Sequence, residues 1–78
     1  MEQKIKQDSK IHIGKNIRAI RLERGIGQTE MVRQMQLYGE QMTRECYVKI
    51  ERGIQHLHAS QLRAIKEVLN TTYDELLK

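Results

Sequence analysis

The sequence predicts an all-α domain of five short helices behind a short amino-terminal tail. Three observations carry this: the chain has no Pro, Trp or Phe, its β-branched residues are scattered, and its apolar residues recur three and four apart. The first two disfavour strands, and the third is the period of one helix face. A length of 78 residues leaves room for one domain with one modest core.

Residues 1–10 read as a flexible tail, because Lys4, Lys6 and Lys10 are diluted by Glu2 and Asp8, with Ile5 the sole strong hydrophobe beyond Met1. The helical domain then occupies residues 11–78. Ile13, Ile17 and Ile20 mark a first helix from about His12 to Arg24, stopped by Gly25. Met31, Val32 and Met35 mark a second over Gln28 to Leu37, with Glu30 in its first turn complementing the helix dipole. These methionines read as flexible core packing. Gly39 opens a loop as far as Met42.

Thr43 is suited to cap a third helix, since its hydroxyl can accept from a first-turn N–H, and Gly53 ends that helix. Leu62, Ile65 and Leu69 define a fourth helix, which Asn70 can close in the left-handed conformation. Thr72-Tyr73-Asp74-Glu75 has the form of a capping box opening a fifth, holding Leu76 and Leu77.

Fourteen Lys plus Arg against ten Asp plus Glu give a formal net charge of +4, a balance that favours polyanionic partners. Cys46 is the single cysteine and cannot form an internal disulfide. No apolar leader or membrane span is visible, so the expectation is a cytoplasmic protein without membrane partners. No glycine-rich phosphate loop, G-x-S-x-G or zinc-protease motif occurs, which argues against an enzyme and implies no cofactor. His56 and His58 form an isolated H-x-H, with His12 and Cys46 the only other nitrogen or sulfur ligands. That is too few for a metal site of recognisable spacing, so none is expected. Contact with phosphate or solvent is the simpler role for His56.

On the third helix, Tyr47 and Ile50 define the inner side, which leaves Glu45, Val48, Lys49 and Arg52 outward and Arg44 at the leading end. Arg and Lys can donate to guanine O6 and N7, and Glu can accept from cytosine N4, within a major groove that admits one helix. Arg44, Glu45 and Lys49 are therefore the candidate base readers.

The order of elements resembles a known family. Ile13-Gly14-Lys15-Asn16-Ile17-Arg18-Ala19-Ile20-Arg21, Gly25-Ile26-Gly27-Gln28, Lys49-Ile50-Glu51-Arg52-Gly53 and Tyr73-Asp74-Glu75-Leu76-Leu77 together are similar to the Cro/C1-type helix-turn-helix regulators. The likeness covers roughly Ile13 to Leu77. It implies a lambda-repressor-like fold that binds double-stranded DNA, with a homodimer on a pseudo-palindromic operator. It also implies a phosphate contact at Gln28, base reading at Arg44, Glu45 and Lys49, and a structural ion pair between Arg21 and Glu51; Arg52 and His56 are the further candidates for phosphate contact. Residues Leu37 to Gln41 exceed the spacing of the shortest members, which leaves open which residues near Gly39 to Met42 approach DNA. The dimer contact is expected on exposed parts of the fourth and fifth helices, including Asn70 to Leu77.

The competing class is a protein-interaction module, such as an antitoxin or anti-regulator. Exposed aromatics or a contiguous apolar patch on the third helix would favour it. The charges at Arg44, Glu45, Lys49 and Arg52 favour DNA, although a protein partner remains compatible with the same molecule.

Overall fold

The computed structural model describes the backbone of Lys4–Ile5 and residues 12–78. Among these residues the chain is mostly helical: α1 (Ile13–Glu23), α2 (Gln28–Leu37), α3 (Arg44–Glu51), α4 (Ala59–Leu69) and α5 (Tyr73–Leu77). Two short strands, β1 (Lys4–Ile5) and β2 (Leu57–His58), form an antiparallel ladder in which Lys4 pairs with His58 and Ile5 with Leu57. That ladder departs from the purely helical expectation. Part of the expected tail is thus strand, and the rest of residues 1–10 lies outside the described residues.

Four of the helices stop by one mechanism. Gly25, Gly39, Gly53 and Asn70 all have positive φ, and each donates its N–H to the carbonyl three residues back, while the following residue reaches five back. This paired closure satisfies carbonyls that a helix end otherwise strands. Thr43 and Thr72 start α3 and α5 by accepting from the N–H groups of Cys46 and Glu75. At α4, Gln61 Oε1 accepts from the backbone N–H of His58 at 2.8 Å.

The core is built from one apolar stripe per helix: Ile13 and Ile17 from α1, Met31, Val32 and Met35 from α2, Tyr47 and Ile50 from α3, Leu62, Ile65 and Leu69 from α4, and Leu76 from α5. Two residues from outside the helices join it. Met42 and Leu57 are both buried, which pins the α2–α3 turn and the α3–α4 connection to the core. Cys46 is half-buried and packs against the same cluster.

Polar links fix the outer helices. Asn16 Nδ2 donates to the carbonyls of Leu76 and Lys78, each at 2.9 Å, tying α1 to the end of α5. Arg24 Nε donates to the Leu69 carbonyl at 3.0 Å, tying the end of α1 to that of α4. No helix among the described residues is long and apolar enough to cross a membrane.

Candidate nucleic-acid interface

The position of α3 is set by its inner side. Tyr47, Ile50 and Glu51 are buried, and Glu51 is the hub of a polar network inside an otherwise apolar core. Arg21 grips its carboxylate with two donors, Nε at 2.6 Å and Nη2 at 3.1 Å. The Tyr47 hydroxyl, one turn earlier on the same helix, donates to it as well. Gln28 Nε2 adds a fourth bond at 3.2 Å, and Arg21 Nη1 donates to the Ile26 carbonyl at 2.8 Å. One carboxylate therefore locks α1, the α1–α2 turn, the start of α2 and the end of α3 in fixed register.

Electrostatics agree with that geometry. Burial alone pushes the Glu51 carboxyl up, but hydrogen bonds from Arg21, Tyr47 and Gln28, with the guanidinium charge, outweigh it and hold the group below the usual carboxylate value. Its hydrogen bond to Glu51, then the carboxylate charge, raises Arg21, and burial followed by the bond to Glu51 raises Tyr47. All three keep their neutral-pH charge states. A fork of two parallel N–H donors on a carboxylate is the strongest common form of such a pair.

The opposite side of α3 is charged and accessible. Arg44, Glu45 and Arg52 are exposed, and Lys49 is about half-exposed at 45% of its side chain. Glu45, Lys49 and Arg52 recur at i, i+4 and i+7 and so share one face. Lys49 Nζ stands 3.5 Å from Glu45 Oε1, so two of the candidate base readers are already paired with each other. Val48, expected outward, is half-buried. A helix of eight residues is about 12 Å long, enough to meet a few base pairs.

No protein family, curated protein or solved structure matches the chain.

The remaining candidates are spread around α3. Gln28 opens α2, whose N-cap is Gly27 without a side-chain bond, so the first-turn N–H groups of α2 stand beside the Gln28 amide. His56 is exposed in the connection just before β2. His58, the other histidine of the H-x-H, ends β2 and caps α4. Among the described residues, no cluster of three or more His, Cys, Asp or Glu could hold a metal ion.

Reasoning from sequence overlooked the inward bond of Gln28 and the hydroxyl of Tyr47. The signal for Tyr47 was present. A tyrosine on an apolar helix face needs a partner for its O–H, and Glu51 lies at i+4.

Proposed function

We propose that this chain is a sequence-specific double-stranded DNA-binding protein of the Cro/C1-type helix-turn-helix kind, a transcriptional regulator that acts as a repressor. The five-helix order is read as lambda-repressor-like, with α2 and α3 as the helix-turn-helix pair. The observation that carries this reading is the two-sidedness of α3. Its inner side is clamped through Glu51, while its outer face offers Arg44, Glu45, Lys49 and Arg52. A rigidly held helix with a charged, accessible face is what direct readout requires, because base-edge contacts need fixed geometry.

In this reading Arg44 and Lys49 donate to guanine edges and Glu45 accepts from cytosine. Gln28, Arg52 and His56 hold phosphates, with the uncapped start of α2 assisting. Two protomers on an inverted repeat place their reading helices about 34–36 Å apart, on the same side of the duplex. Repression follows if that site overlaps a promoter, and a cytoplasmic location goes with a DNA target.

The test is selection of bound sequences from a random duplex pool, followed by mass measurement of the complex on the best site. The expected result is an enriched motif with two-fold symmetry and a two-to-one complex. Recovery of unenriched sequence would overturn the reading in favour of a protein-interaction module.

A further inference from the structure

We propose that Tyr38 and the concavity beside it on α4 form a self-complementary surface on which a second copy of this chain docks. The inference extends the pairing of protomers proposed above by naming its surface. Its test uses no DNA, so failure of either leaves the other readable.

Ile54 and Leu22 are exposed singly, whereas two exposed apolar side chains stand together here. Leu37 and Tyr38 are 72% and 59% exposed, whereas Tyr73 and Leu77, on the segment expected to pair protomers, are 41% and 38% exposed. Tyr73 also has an internal partner, since the Lys66 ammonium lies 5.3 Å from its ring centroid. Large apolar groups exposed side by side are costly unless something covers them. Tyrosine is, moreover, a side chain favoured at the centre of interfaces.

The patch is rigid. Tyr38 is the final residue of the α2 closure: its N–H donates to Gln34 and Met35, and Gly39 at φ +88° turns the chain away immediately afterwards. The far end of the turn is pinned by buried Met42, whose carbonyl accepts from Gln36 Nε2 at 2.8 Å. A tyrosine on such an elbow is presented with little ordering cost.

Knob and receptor lie on the same patch. Tyr38 walls a concavity of about 310 Å³ that is completed by Glu40 and by Ser60, Arg63, Ala64 and Glu67 of α4. Its rim carries both signs of charge. Among the described residues Arg63 has no carboxylate within ion-pair distance, and Glu67, one turn further on the same helix, is paired at 3.2 Å with Lys66 Nζ, a solvent-side pair that an incoming Arg63 can share. These features select a second copy as the occupant. A two-fold axis between antiparallel α4 helices sets Arg63 of each copy against Glu67 of the other and brings each Tyr38 to the other's concavity. An isologous contact demands that reciprocity.

Sedimentation of the full chain over a concentration series tests this with Arg63→Glu, Glu67→Arg, Tyr38→Ala and an equimolar mixture of the two charge variants. The parent should self-associate. Each charge variant alone should associate at least roughly tenfold more weakly, because like charges then meet across the axis. The mixture should restore a two-chain species, since its cross-pairs are again opposite in sign. Tyr38→Ala should weaken association, with an unchanged melting temperature at dilutions where the parent is monomeric, as expected of an exposed anchor. Circular dichroism of each variant reports that the fold persists. A parent that stays monomeric throughout, charge variants that associate like the parent, or a mixture that stays monomeric would each overturn the proposal.

Discussion

The Gln28 side-chain amide at the start of α2 lies 3.2 Å from the Glu51 carboxylate at the end of α3. One of its N–H groups is thereby directed inward. The proposed phosphate contact is thus aimed by the carboxylate that positions α3. A change at either end should be felt at the other.

Arg21 and Glu51 should be strongly coupled. Their side chains are only 7% and 2% exposed, so removing one leaves the other buried and uncompensated, at a cost of about 3–5 kcal/mol. A double-mutant cycle with Arg21→Met and Glu51→Gln on urea unfolding measures the interaction. The double variant should be less damaged than the sum of the singles. Additive losses would mean that the two side chains do not sense each other.

Stability should fall in acid through Glu51. A carboxyl held below its ordinary value of 4.5 contributes stability that is complete above that value and is lost as pH falls through the folded-state value. Unfolding curves between about pH 7 and about pH 3 should therefore show a steep acid limb, shallower in Glu51→Gln. Glu30 is also held low, at about 2, by hydrogen bonds from Arg33 and then Gln34, but it lies at the surface. Added salt should weaken its part while leaving that of buried Glu51.

Arg44→Ala and Lys49→Ala should leave unfolding midpoints nearly unchanged, because neither side chain belongs to the core. On the selected DNA site each should lose about 1–3 kcal/mol of discrimination. Competition binding against a scrambled duplex gives the number. Variants that discriminate like the parent would place base reading elsewhere.

Met42→Ala should cost about 2–5 kcal/mol, the range for truncating a buried methionine, because Met42 is 3% exposed and anchors the α2–α3 turn. Thermal unfolding would show it. A loss below about 0.5 kcal/mol, typical of a surface site, would mean that the turn is held by Gln36 alone.

Most helix limits were legible because caps and periodicity are local. Thr43, Thr72 and Asn70 act through partners within a few residues, and α2 spans the residues that the spacing of Met31, Val32 and Met35 marks out. Met42 and Leu57 were opaque for the opposite reason. Each lies between helices, where no period betrays its burial. The β1–β2 ladder is two residues long on each side, too short to alternate. The outward face of α3 followed from helix geometry once its inner residues were known. The Arg21–Glu51 pair that the family resemblance implies is present, but the Gln28 bond to the same carboxylate was not legible, since nothing local ties the start of α2 to the end of α3.

The pairing of Lys4–Ile5 with Leu57–His58 has a kinetic meaning. Helices close over three or four residues, whereas this ladder closes a loop over most of the chain, so its entropy cost comes early in folding and its return late. It should form after the helical core and open before it. Native-state hydrogen exchange should therefore find the ladder amides of β1 leaving through small sub-global openings, while those of α1 and α4 exchange only with global unfolding. Exchange of both at one common free energy would make the ladder part of the cooperative core.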